Sequence, residues 1–368
     1  MRLTPLVRLL RLVDYRYVTI AAADVRFRKF PRNFPKLEES ISLFSGSRRA
    51  FSMADKRLSK IRIDAEKFFQ MDKIDENIYR STYLRPGSPR FPVVYGGLLF
   101  AQSLAAAEET VPAQMRVHAM HSMFIVAATI KQPIDYVVRT LRDGRSFCSR
   151  TVDAIQNGGT VFTCQISFHL PEEAAVEHQI EMPSVVGPEE CPELFEGTRR
   201  ILKDADEGRY VIDSYRRERL HDRLIERDKM EEPLFEMRPT NLEEFLAIKP
   251  STKKSFVWVR SSQKLSDDPR IHRMMAVYNT DSTLAGVALK AHQSHGFVPS
   301  QVLSLDHCMW LHRNDFRADE WMLYENSTAI AASGRAFTEG HLWDRDGRLI
   351  CSTAQECLIR SKISKSNL

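Results

Sequence analysis

Three polar side chains set into apolar segments of the second half have the types needed to handle one water molecule. Asp281 opens Asp281-Ser-Thr-Leu-Ala-Gly-Val-Ala-Leu, Ser304 stands in Gln301-Val-Leu-Ser-Leu-Asp-His, and Gln355 stands in Cys351-Ser-Thr-Ala-Gln-Glu-Cys-Leu. A carboxylate can take a proton from water when its reach and pKa suit the task. A hydroxyl and an amide can fix that water's orientation, which lowers the entropic barrier. N–H groups at a helix start can receive a developing oxyanion. Such a set suits hydrolysis of an activated ester. The same residues also have a structural reading: Asn279, Thr280 and Asp281 stand where a helix N-cap would be, and polar strand residues usually face water.

The elements that must position these groups occur in one order, twice. Residues 95–109 read as a helix rich in Ala and Leu, with Gly96 and Gly97 at its start, where backbone comes close to a neighbour. Strand-like runs follow at 118–125, 136–141, 146–156 and 160–169, separated by the hairpin signals Asp143-Gly144 and Asn157-Gly158-Gly159. The second half repeats this with a helix over 281–291 and strands over 304–312, 321–327, 333–343 and 349–359, the last hairpin at Asp346-Gly347. Laid on itself, the chain aligns His121 with His307 and Gln165 with Gln355. The class is α+β: a helix across a curved antiparallel sheet, twice, with sheets able to join edge to edge.

The expected organisation is an extension over 1–55, a first unit over 56–171, a connecting segment over 172–230, a second unit over 231–362 and a tail over 363–368. Charges alternate in sign through 199–232, as on one or two solvated surface helices. The second unit begins with strands near 233–239 and 256–260.

Composition bounds the function. The net charge of +5 is uneven: residues 1–50 carry eleven Lys or Arg against four Asp or Glu, and the remainder carries 42 against 44. The body of the chain is therefore not basic, which argues against a nucleic-acid partner. No run reaches the ~18 apolar residues of a membrane span. The six cysteines form no Cys-x-x-Cys pair, so neither a zinc site nor a disulfide framework is expected, and buried thiols are. The Arg-rich, acid-poor start resembles a mitochondrial transit peptide, with Met53 as an alternative initiator. The ending Ser366-Asn367-Leu368 is a degraded form of the peroxisomal Ser-Lys-Leu address. A peroxisomal location is the expectation, with mitochondrial or cytosolic ones as alternatives.

Tyr278-Asn-Thr-Asp-Ser-Thr-Leu, Leu303-Ser-Leu-Asp-His-Cys-Met-Trp-Leu-His and Ser352-Thr-Ala-Gln-Glu-Cys together resemble the type II acyl-CoA thioesterases, a family with bacterial and peroxisomal members. Val94-Tyr-Gly-Gly-Leu-Leu-Phe-Ala-Gln, Val117-His-Ala-Met-His-Ser-Met-Phe and Leu141-Arg-Asp-Gly-Arg-Ser-Phe carry the likeness in the first half. It runs from about residue 60 to residue 362 and is weak across 172–230. The resemblance implies a double hotdog fold and hydrolysis of fatty acyl-CoA to fatty acid and CoA, with no metal or organic cofactor. It implies that Asp281 is the base and that Ser304 and Gln355 orient the attacking water. Gly96, Gly97 and His121 are candidate substrate contacts, and a homodimer or homotetramer is expected.

The chain also departs from the family. Relatives follow the Phe at 124 with an Arg-Pro-Gly type turn, whereas here stands Ile125-Val-Ala-Ala-Thr-Ile; Cys308 replaces a common Ser. Two rival readings follow from residues. An enoyl-CoA hydratase of the same fold would use Asp267-x-x-x-x-His272, and a non-catalytic acyl-CoA-binding subunit would draw on the altered 125–130 loop. His121 and His307 are expected to pack and hydrogen-bond, with Asp306 and His307 on opposite faces of their strand.

Overall fold

The computed structural model describes residues 64–361, except 89, 90, 230 and 231. The expected targeting extension, Met53 and the terminal Ser366-Asn367-Leu368 lie outside the described residues. After a short 3-10 turn over Ala65–Phe69 come β1 (Asp72–Asp75), β2 (Ile78–Ser81), β3 (Pro86–Ser88), β4 (Phe91–Val94), α1 (Gly96–Glu108), β5 (Arg116–Phe124), β6 (Ile134–Asp143), β7 (Phe147–Gln156) and β8 (Gly159–His169). The charged connecting segment holds α2 (Leu194–Asp206) and α3 (Ser214–Lys229). Then follow β9 (Phe235–Pro239), α4 (Leu242–Phe245), β10 (Lys254–Ser261), α5 (Pro269–Thr280), α6 (Leu284–Gln293), β11 (Pro299–Ser304), β12 (Asp306–Leu311), β13 (Met322–Ala332), β14 (Arg335–Asp344) and β15 (Leu349–Ser361).

A 13-stranded sheet runs β1-β2-β6-β7-β8-β5-β12-β15-β14-β13-β10-β9, with β11 also on β15. Its pairings are antiparallel. The two halves meet where β5 pairs β12, with Ser122 opposite His307 and His121 opposite Cys308. Two helix-on-sheet units sharing one continuous sheet form the double hotdog arrangement. The turn chemistry explains the hairpins. Asn157 (φ 55°) and Gly158 (φ 75°) both take the left-handed conformation that a tight β7–β8 turn requires. Ser333 and Gly334 do the same between β13 and β14. Asp143-Gly144 instead opens a wider loop, in which the Gly144 N–H donates to Phe147 O at 2.9 Å.

Helix α1 is buried from Gly96 to Ala107, as a helix with apolar side chains on every side must be. Its one amide, Gln102, is satisfied: Nε2 donates to Phe68 O (2.7 Å) and Ser81 Oγ (2.6 Å), and Oε1 accepts from Tyr136 OH (2.6 Å). Buried Glu108 at its end meets buried Arg273 of α5 at 2.8 Å, tying the helices of the two units together.

Two expectations are corrected. Asp281 does not open a helix: α5 ends at Thr280, Asp281 is its C-cap (φ −83°), and α6 starts afresh after Thr283. The alignment of His121 with His307 also fails in space. His121 and Gln165 face each other on the exposed side of the sheet, while His307 and Gln355 are buried on the inner side. Each unit carries a one-residue register shift at the like place, between Val117 and Ala119 against β8 and at Leu305, between Ser304 and Cys308, against β15. The halves are therefore in step only when buried Met120, not exposed His121, is set on His307, and buried Ile166, not Gln165, on Gln355.

Candidate active site

The break between α5 and α6 presents Asp281 to the inner face of β15. The end of α5 is held by side chains rather than by a glycine cap: Tyr324 OH donates to Thr280 O at 2.7 Å, and Thr280 Oγ1 donates to Val277 O at 2.8 Å. Gln355 reaches up from β15. Its Nε2 donates to Asp281 Oδ1 at 2.8 Å and to Ser304 Oγ, at the end of β11, at 2.6 Å. A flipped amide would set Oε1 against a carboxylate, so the hydrogen-bond network fixes the orientation. All three side chains are buried. Gln355 Oε1 has no protein hydrogen-bond partner among the described residues.

The bulge at Leu305 turns Ser304 inward and still lets His307 point inward three residues later. His307 Nε2 meets Thr280 Oγ1 at 2.9 Å, and the ring lies edge-on to Phe100 at 4.9 Å. Burial pushes its pKa down from 6.5 to about 3, so the imidazole is neutral. Asp306 faces the other way, its Oδ1 accepting from the Glu356 N–H at 2.7 Å.

A cavity of about 210 Å³ adjoins Asp281 and Ser304. Tyr95 and Tyr278 form one wall, their rings edge-to-face at 4.8 Å. Burial, and then the charge of Asp281, hold the Tyr95 phenol well above its ordinary pKa, so it stays protonated. Leu234, Phe235 and Met237 of the β9 region supply apolar surface, and so does Phe195 of α2. The contribution of α2 was not foreseen: its charge pattern reads as solvated, yet Leu194, Ile201 and Leu202 pack on α3 and α4 and carry Phe195 to the cavity. Asn279 was likewise missed. It is fully buried on the cavity wall, two residues before Asp281.

The other candidates lie elsewhere. Gly97 sits where α1 passes closest to α5; a Cβ there would strike the Tyr278 carbonyl oxygen and come within 2.6 Å of the Tyr95 ring. Gly97 therefore stands behind the tyrosine wall, and neither Gly96 nor Gly97 lines the cavity. His121 is exposed on the far face of the sheet, edge-on to Trp310 at 5.2 Å. Residues 125–130 do not line the cavity, although the Phe124 N–H donates to Leu305 O at 3.0 Å, one residue from Ser304. The hydratase pair does not form: the Asp267 side chain is 94% exposed and paired with Arg317, while both ring nitrogens of buried His272 are engaged by the backbone of Ser266 and Ala318. Among the described residues no group of three or more His, Cys, Asp or Glu is placed to hold a metal ion, and no helix is long and apolar enough to cross a membrane.

Residues 84–169 match the family model described as the acyl-CoA thioesterase N-terminal domain, and residues 221–359 match the acyl-CoA thioesterase C-terminal domain. Acyl-coenzyme A thioesterase 8 of Rattus norvegicus is 35% identical over 306 residues, 81% of this chain and 90% of that protein. The peroxisomal acyl-coenzyme A thioester hydrolase 1 of Saccharomyces cerevisiae is 23% identical over 329 residues, 79% of this chain and 93% of that one. Among solved structures, the acyl-CoA thioesterase II TesB2 from Mycobacterium marinum superposes with a TM-score of 0.61 at 28% identity, covering 81% of this chain and 98% of that chain.

Proposed function

The chain belongs to the type II acyl-CoA thioesterase family, and from that premise we propose that it hydrolyses fatty acyl-CoA to fatty acid and CoA with a water activated by Asp281 and oriented by Ser304 and Gln355. One observation carries the reading: Gln355 Nε2 bridges Asp281 and Ser304 beside a cavity walled largely by apolar side chains. Asp281 accepts the proton of the water as its oxygen attacks the thioester carbon. The free acceptor Gln355 Oε1 and the Ser304 hydroxyl hold that water. Ser304 is not the covalent nucleophile in this mechanism, because the Gln355 amide that donates to its hydroxyl cannot take its proton. The apolar walls receive the acyl chain.

The proposed location is the peroxisome, supported by the Ser366-Asn367-Leu368 ending and by the name of the yeast relative. The proposed working form is a homodimer or homotetramer joined through sheet edges; β1 and β9 are the strands at the two ends of the sheet.

Free-thiol release from short- to long-chain acyl-CoAs, measured on the full chain and on Asp281→Asn, tests the reading. The expected loss is at least about a hundredfold in kcat, the size of a lost acid–base group. Equal turnover by both proteins would assign the base elsewhere, and an inactive parent on every chain length would refute the hydrolase.

A further inference from the structure

Of the groups that would hold the attacking water, only the Ser304 hydroxyl has a hydrogen left to give, and that one goes to the water. Gln355 gives both Nε2 hydrogens to Asp281 and Ser304, and its free atom Oε1 is an acceptor. An ionised Asp281 only accepts. Acceptors suit a water that gives its hydrogens. A thioester carbonyl turning into an oxyanion has the opposite need: a donor fixed where the charge develops.

Asn279 has such a donor. It lies in the last turn of α5, fully buried, on the wall of the same cavity. Its Oδ1 accepts from Ser282 Oγ at 3.2 Å, which orients the amide, and its Nδ2 is buried with no protein partner among the described residues. An unsatisfied buried donor works against the fold, and a leucine of similar size would avoid it. We infer that Asn279 is a further catalytic residue of the hydrolysis proposed above, donating through Nδ2 to the substrate's carbonyl oxygen as it takes on charge. The inference rests on that thioesterase reading. As the water oxygen attacks, its proton passes to Asp281 and the C=O π pair moves onto the oxygen facing Asn279. The pair then returns, the C–S bond breaks, and the proton on Asp281 goes to the departing thiolate. Fatty acid and CoA thiol result, with no other reactant.

The test is Asn279→Leu in the full chain, read by kcat, KM and melting temperature, with binding of a non-hydrolysable S-(2-oxoalkyl)-CoA ketone as a second arm. Loss of an oxyanion donor predicts a kcat lower by about a hundredfold, a KM within about threefold and a melting temperature unchanged or raised. Ketone binding should weaken with it. A structural role predicts the reverse: a lower melting temperature with kcat and ketone affinity intact, and that result overturns the assignment. A parent that hydrolyses no acyl-CoA would instead overturn the thioesterase reading beneath it, an outcome distinct from an active parent with an equally active variant.

Discussion

Ser304 and His307 face the same side of the sheet although three residues apart on one chain path. On an unbroken strand an odd separation sends side chains to opposite faces. The slip at Leu305, from the pairing of Ser304 with Cys357 to that of Cys308 with Ala354, restores the common face. Ser304 thereby reaches Gln355 while His307 reaches Thr280.

Because Ser304 contributes a hydroxyl alone, Ser304→Thr should keep most of the activity and Ser304→Ala should not. The added methyl suits a strand position. Alanine leaves Gln355 Nε2 one acceptor short and removes a partner of the water. A fall in kcat of about ten- to a hundredfold is expected for the alanine variant, from lost positioning. Steady-state thiol release on both variants checks it; equal activity of Ala and wild type would remove Ser304 from the site.

His307 makes stability depend on acid. The folded protein keeps it neutral down to about pH 3, whereas the unfolded chain protonates it near 6.5. Between those values the unfolded state binds the extra proton, so stability rises with pH. The contribution is complete above 6.5 and is lost as pH falls toward 3. The slope is about 1.4 kcal/mol per pH unit in mid-window. His307→Asn should flatten urea-derived stability against pH by about that slope, whatever it does to stability at pH 7. An unchanged slope would show that His307 titrates normally.

Much of this was legible beforehand. Paired apolar runs, Asn157-Gly158 and the repeated order of elements lead to two joined helix-and-sheet units, whereas Asp281, Ser304 and Gln355, each with a structural reading by residue type, are singled out by the family resemblance. What escaped is non-local. The break over 281–283 contains neither Gly nor Pro, so nothing local marks the end of α5. The register shifts of β5 against β8 and of Leu305 against β15 exist only between strands, so nothing local fixes the alignment of the halves, and setting His121 on His307 falls one residue away from Met120, which holds the matching buried place. Phe195 becomes a cavity residue because α2 docks on α3 and α4, which its charge pattern hides.

The Glu108–Arg273 pair joins the units inside the protein, its side chains 7% and 4% exposed. Glu108→Ala would leave a buried guanidinium without this carboxylate, which typically costs 3–5 kcal/mol, about half a domain's stability. Replacing both, as Glu108→Leu with Arg273→Met, should recover most of the loss, because burying the two charges is itself costly. Chemical denaturation of the single and double variants measures it. A double variant as unstable as the single one would show that the pair contributes more than it costs to desolvate.

Gly97→Ala separates the packing of the site from its chemistry. In an ordinary helix this change would gain about 1 kcal/mol. Here the new Cβ meets the Tyr278 carbonyl oxygen and the Tyr95 ring, and backbone oxygen cannot rotate away as a side chain can. Helices α1 and α5 must move apart, at a cost of about 1–3 kcal/mol for overpacking, so the net change is destabilising. Tyr95 and Tyr278 wall the cavity, and Asp281 follows Tyr278 by three residues on the same chain path, so the displacement carries to the site. Activity per folded molecule should therefore fall, more for long acyl chains than for short ones. Thermal unfolding together with kcat/KM across chain lengths measures both. A variant as stable and as active as the parent would mean that α1 and α5 are not held in contact at Gly97.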